Sequence, residues 1–228
     1  LALWTALQLD LSHALEDAEE RAEADALVSF LTPVLKAHGS DQGFASAVAM
    51  QQVLGGHGYV AEWGMEQIVR DARIAMIYEG ANGVQALDLA GRKLARDGGA
   101  VAERLFGMIE AEAAAAPAFI GAPLGAALED ARAAARWLVA HAAADPDTLG
   151  AGSYAFLQLV GHLAIGWMWA RMATIAARQP DAPLMAAKLV LARHFTERTL
   201  PETAGLRRKV EAGAGGLMAL PAAAFLRA

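Results

Sequence analysis

From Val101 onward the chain is a succession of alanine-rich runs, the longest reading "AEAAAAPAFIGAPLGAALEDARAAARWLVAHAAA", joined by connectors as short as "ADPDTLG" and "QPDAP". Alanine loses no side-chain entropy on entering a helix, so such runs fold as helices. Connectors this short make consecutive helices pack antiparallel. Pattern and breakers predict helices over Val101–Ala116, Leu124–Ala143, Leu149–Arg178 and Leu184–Thr199, with a weaker one over Ala204–Ala212.

The first part of the chain is helical by a different signal. Leu3, Leu7, Leu11 and Leu15 recur every four residues, one stripe of a helix over Ala2–Ala22 whose far end carries a solvated acidic face. A second helical run covers Ala24–Leu54, with Pro33 and "HGSDQG" as bend points that allow either two helices or one long bent one. "GGHGYVAEWG" is a turn-rich loop and Met65–Arg73 a short helix. Another helix follows Glu79, with Asn82 and Gln85 as its capping pair and Val84, Leu87, Gly91 and Leu94 as its buried stripe. Its end at "DGG" marks a domain boundary, dividing the chain into residues 1–97 and 98–228.

Composition narrows the function. A chain that is 56% hydrophobic and 7% aromatic with only 8 prolines fits an all-α protein and disfavours a β-rich one. A formal charge of −6 speaks against a nucleic-acid surface. With no cysteine there is neither disulfide nor thiolate chemistry, and a cytoplasmic setting is expected. The six histidines show no metal-ligand spacing, so no metal site is expected and none receives a catalytic role. The apolar stretch Tyr154–Ala170 contains Gln158 and His162 and is too short for a bilayer, so it reads as a buried helix. The chain opens inside a helical pattern with no secretory signal, and is expected to be a piece of a longer protein.

The residue that asks for an explanation is Glu79, in "DARIAMIYEGANG". It follows an apolar run and precedes Gly80 and a new helix. A carboxylate in dry surroundings at a helix start is suited to removing a proton from carbon beside a carbonyl, with nearby backbone N–H groups steadying an oxyanion. The same residue also reads as an ordinary solvated acid near a helix start. "GGHG" offers main-chain amides to a phosphate, or serves only to end a helix. Arg70, Asp71 and Arg73 either pair with one another or hold the Glu79 loop.

Taken together, "QQVLGGHGYVAEWGMEQIVRDARIAMIYEGANGVQALDLAGRKL", Gln51 to Leu94, resembles the C-terminal helical domain of acyl-CoA dehydrogenases. The resemblance covers roughly residues 1–97. It implies that Glu79 is the base that takes the α-proton of an acyl-CoA thioester, while hydride passes to FAD and a trans-2-enoyl-CoA forms. Tyr78, Glu79 and Gly80 would then meet the substrate. Gln52, Gly55 and Gly56 fall at positions that approach the FAD of a neighbouring subunit, and Tyr78, Ala81, Asn82 and Gln85 at positions near the flavin, Ala81 standing where many members have threonine. Residues from about Gly98 resemble the appended helical region of a longer subgroup, an interface or a tunnel-closing scaffold. The resemblance further implies a homodimer or homotetramer, electron-transfer flavoprotein as acceptor, and neither membrane nor nucleic acid as partner. By itself the piece would be inactive, because most of the flavin site lies elsewhere. A non-catalytic assembly module, a DNA-binding flavoprotein relative and an acyl-CoA oxidase are the other readings.

Overall fold

The computed structural model describes residues 1–225, and every regular element among them is helical, as expected of an all-α chain. Helix α1 spans Ala2–Ala14 and α2 spans Ala18–Val53. The helix expected over Ala2–Ala22 is thus broken. The Asp17 carboxylate accepts the N–H groups of Glu19 (2.8 Å) and Glu20 (2.9 Å) and starts a new helix. Arg21 secures the break by donating to the carbonyls of Leu15 and Glu16.

The leucine stripe also needs correction, since Leu3 is 89% and Leu7 51% exposed. Helix α1 instead turns Trp4 and Thr5 inward. The Trp4 ring meets Trp167 edge-on, with centroids 4.8 Å apart, and an indole buries more apolar area than a leucine. Neither Pro33 nor "HGSDQG" interrupts the 36 residues of α2. The missing N–H of Pro33 forfeits one helical bond, but buried Phe30, Leu31, Val34 and Ala37 flank it and hold both halves to the core.

Two short 3₁₀ turns, Gly55–Gly58 and Ala61–Trp63, lead to α3 (Met65–Ile74) and α4 (Asn82–Leu87). Helix α4 continues into a π-helical segment, Asp88–Ala95. Ala86 of α4 and Leu89, Ala90 and Leu94 of the π-helical segment enter the core. Of the expected stripe only Leu94 is buried; Val84 is 57% and Leu87 50% exposed. Gly98 and Gly99 then turn the chain with φ of 67° and 87°, while Asp97 accepts the N–H groups of Gly99 and Val101.

The remaining helices are α5 (Ala100–Ala115), α6 (Ala118–Ala142), α7 (Pro146–Ala176), α8 (Pro183–Arg198) and α9 (Glu202–Glu211), within a turn or two of their predicted ends. Neighbours run antiparallel. Leu138 meets Gly152 and Leu124 meets Gly166 across α6 and α7, and Gly99 meets Val139 while Ala113 meets Gly121 across α5 and α6. Tyr154–Ala170 lies within α7, which contributes Phe156, Leu159, Leu163 and Trp167 to the interior. Each such side chain gives roughly 1.5–3 kcal/mol of burial. The apolar core runs without a break from Leu27 and Phe30 through Leu89 and Leu94 to Leu105, Phe156 and Val210. Helix α7 therefore packs on α2 and α4 as well as on its own neighbours.

Candidate active site

Glu79 sits on the loop between α3 and α4, and its backbone is unusual. It has φ of 52° and is the one non-glycine residue with positive φ among those described. L-residues rarely adopt this region, and its occupation by a glutamate stores about 1–2 kcal/mol. The loop is over-determined by hydrogen bonds. Tyr78 N–H donates to the Ile74 carbonyl (3.2 Å) and Asn82 N–H to the Met76 carbonyl (3.1 Å), closing it from both sides. The Gln85 amide donates to the Glu79 carbonyl at 3.3 Å. Gly80 leaves room for that amide, because a Cβ there would lie 2.8 Å from Gln85 Nε2.

The side chain of Glu79 is exposed, contrary to the dry pocket expected of it. Its apolar neighbours are in place but face outward. Ile74, Ile77, Tyr78, Val84 and Leu87 are each 50–57% exposed. Side chains of this kind shield a carboxylate only when another surface closes over them. Arg70 and Arg73 do not pair with Asp71. Arg70 bonds Glu66 at 2.8 Å, while Arg73 donates to the Met76 sulfur and lies over the Phe44 ring, steadying the start of the loop.

Of the positions implicated in flavin contact, Gln52, Gly55 and Gly56 lie together at the exposed end of α2, and Tyr78 and Ala81 are exposed beside Glu79. Asn82 is different. It is 5% exposed and is not the helix cap; Ala81 occupies that position. Its side chain turns inward because α2 offers a full set of partners. Asn82 Nδ2 donates to the Ala37 carbonyl (3.1 Å), Ser40 Oγ (2.9 Å) and Asp41 Oδ1 (2.8 Å). Its Oδ1 accepts from Lys36 Nζ at 2.7 Å. No polar atom of that amide is left to face outward.

Behind Asn82 lies a polar network that the sequence reading missed. Asp41 Oδ2 accepts from Tyr154 Oη and from Gln158 Nε2, both on α7. Gln158 Oε1 lies 2.7 Å from His38 Nδ1, which fixes that nitrogen as the donor. The His38 and His162 rings meet edge-to-face at 5.0 Å. Burial lowers the pKa of His38. Burial, then the charge of His38, hold His162 down at about 4. A Glu202 oxygen 3.4 Å from His162 Nε2 opposes this, but Glu202 is largely solvated and the desolvated ring prevails. Burial and the bond to Asp41 push the Tyr154 hydroxyl up to about 12. The one available signal was the presence of Gln158 and His162 inside an otherwise apolar run.

Known proteins give this geometry a context. Residues 2–94 match the family model described as "Acyl-CoA dehydrogenase, C-terminal domain", and residues 105–221 match "Acetyl-CoA dehydrogenase C-terminal like". The chain is 39% identical over 213 residues to the 3-methylmercaptopropionyl-CoA dehydrogenase of Ruegeria pomeroyi, covering 89% of itself and 36% of that protein. It is 34% identical over 214 residues to the broad-specificity linear acyl-CoA dehydrogenase of Mycobacterium tuberculosis, covering 86% of itself and 35% of the relative. A 52-residue stretch is 50% identical to the short-chain specific mitochondrial acyl-CoA dehydrogenase of Rattus norvegicus, 22% of this chain and 13% of that one. The chain therefore spans about a third of the length of the two relatives that match most of it. With both halves matched, it belongs to the acyl-CoA dehydrogenase family.

Proposed function

We propose that this chain is the C-terminal part of an FAD-dependent acyl-CoA dehydrogenase in which Glu79 removes the α-proton of an acyl-CoA thioester. The observation that carries this reading is the backbone of Glu79, held at φ of 52° by hydrogen bonds on both sides and flanked by outward-facing apolar side chains. A strained residue presented by a rigid loop is a feature of working sites. In the reaction the α C–H bond gives its proton to the Glu79 carboxylate, its electrons form the new C=C bond, and the β-hydrogen leaves as hydride. Bound flavin supplies the acceptor for that hydride. Tyr78 and Gly80 line the substrate beside the base, and a developing thioester oxyanion is met by the Glu79 N–H.

The residues at the end of α2 fit a flavin nucleotide. Gly55 and Gly56 have nothing within 4 Å of where a Cβ would lie, so their backbone can approach a phosphate closely, with the Gln52 amide beside them. Tyr78 and Ala81 would lie against the flavin that serves Glu79, and Gln52, Gly55 and Gly56 against that of a neighbouring subunit. Asn82 and Gln85 serve it indirectly, by fixing the loop. The rest of the protein closes over Ile77, Tyr78, Val84 and Leu87 and excludes water from the carboxylate. The working enzyme is a homodimer or homotetramer that passes its electrons to electron-transfer flavoprotein.

The test is Glu79→Gln in the full-length protein, which keeps shape and hydrogen bonding but removes the basic oxygen. Flavin reduction by an acyl-CoA panel should fall by about three orders of magnitude or more, as for loss of a positioned base. A rate within about threefold of wild type would exclude Glu79 as the base.

A further inference from the structure

The network behind Asn82 joins the two halves of the chain at one carboxylate. Asp41 Oδ1 accepts from Asn82, the first residue of α4, while Asp41 Oδ2 accepts from Tyr154 and Gln158 of α7. Asn82 lies three residues beyond Glu79, and its backbone N–H closes the Glu79 loop on Met76. Any displacement of α7 relative to α2 must stretch bonds to Asp41, and any displacement of Asp41 pulls on Asn82. Gln158 is fixed in turn by His38, whose ring fills the space beside Gly161 of α7. The linkage is thus a continuous run of side-chain bonds from the second half of the chain to the loop that bears the base.

We propose that Asp41 is a positioning residue through which α7 sets the placement of Glu79, so that the C-terminal helices take part in catalysis as more than an assembly surface. This rests on the reading of Glu79 as the base. Three donors converge on Asp41, and a carboxylate with two acceptor oxygens can satisfy all three. An asparagine has one acceptor oxygen and must abandon either α4 or α7. The strain at Glu79 explains why such an anchor is needed, since a residue at positive φ relaxes when its surroundings loosen.

The experiment uses the full-length enzyme with Asp41→Asn, the double variant Tyr154→Phe/Gln158→Leu, and the mild Tyr154→Phe alone in case the others fold poorly. Two measurements are made, backbone hydrogen exchange over Met76–Gln85 and steady-state kinetics with α-deuterated acyl-CoA. Exchange in that segment should accelerate about tenfold while α5 and α6 keep their protection, as for a local opening. Turnover should fall about tenfold with KM within twofold and a larger α-deuterium isotope effect, because proton transfer alone has slowed. A general loss of folded enzyme would lower turnover without changing the isotope effect. Unaltered exchange over Met76–Gln85, or accelerated exchange with unaltered turnover, overturns the proposal. Glu79→Gln run in parallel separates the two ideas. If that variant stays active, the base is elsewhere, whereas an inactive Glu79→Gln beside unaffected Asp41 variants rejects only the positioning role.

Discussion

The His38 ring occupies the space in which a side chain at Gly161 would lie: a Cβ added there would sit 2.3 Å from His38 Cγ and 2.5 Å from its Nδ1. This contact lets α2 and α7 approach closely enough for Gln158 to reach both His38 and Asp41. Gly161→Ala is therefore expected to displace the ring and break the bond to Gln158. Overpacking of this kind costs about 1–3 kcal/mol. Urea unfolding of the 228-residue chain should show it as a lower midpoint with an unchanged slope. Gly107→Ala, in open space, is the control and should be neutral or slightly stabilising.

The same pair makes stability depend on pH. Both rings have folded-state pKa values below their ordinary 6.5, His162 at about 4. The unfolded chain thus takes up protons first, and the contribution of the neutral pair is complete above about pH 6.5 and is lost as pH falls toward 4. Glu202, Gln158 and Asp41 face the rings, and of these only Glu202 touches His162. A loss on the order of 2–3 kcal/mol between pH 7 and pH 4.5 is expected from a shift of that size. His162→Leu should flatten this part of the profile in chemical denaturation at a series of pH values. A variant as pH-sensitive as the parent would show that other groups carry the dependence.

Glu79 itself predicts a conflict between stability and function. Its positive φ costs a side-chain-bearing residue energy that glycine does not incur. Glu79→Gly should raise the unfolding free energy by about 0.5–1 kcal/mol, and Glu79→Ala should not. Thermal unfolding of the three chains side by side decides it. Stabilisation by alanine as well would locate the cost in the carboxylate rather than in the backbone.

Much of this fold was legible in local pattern, and the failures share one cause. Helices α5 to α9 were readable because alanine-rich runs between proline and glycine breakers have few alternatives. Pro33 and "HGSDQG" leave one helix or two open because local chemistry marks them as bend points, whereas burial of Phe30, Leu31 and Val34 carries α2 straight through. Asn82 misled more instructively. By sequence it is an ideal cap, yet partners 41 to 46 residues away outbid the local role. Val84 and Leu87 read as core in the sequence because periodicity reports which faces are apolar and is silent on which of them this stretch of chain covers. Glu79 was found through its neighbours in order and spacing, but its left-handed backbone and its tether to α7 depend on contacts far apart in the chain.

The α5–α6 pair offers a last prediction, on electrostatics away from the site. Arg132 of α6, only 12% exposed, reaches Glu103 and Glu110 of α5 and Glu129 on its own helix. Its hydrogen bond to Glu110 lowers the pKa of that carboxyl and holds the guanidinium more firmly charged. The acids are 58–66% exposed, so solvent screens each pair and their contribution to stability is small. Arg132 Nε donates to Glu103 and Nη1 and Nη2 to Glu110, a fork that a lysine cannot reproduce. Arg132→Lys should therefore lose most of what Arg132→Met loses. In 1 M salt the gap between the parent and either variant should shrink, because the Debye length falls to about 3 Å. Urea unfolding at low and high salt measures it. A gap that persists in 1 M salt would assign the role of Arg132 to its aliphatic stem packed between the two helices rather than to its charge.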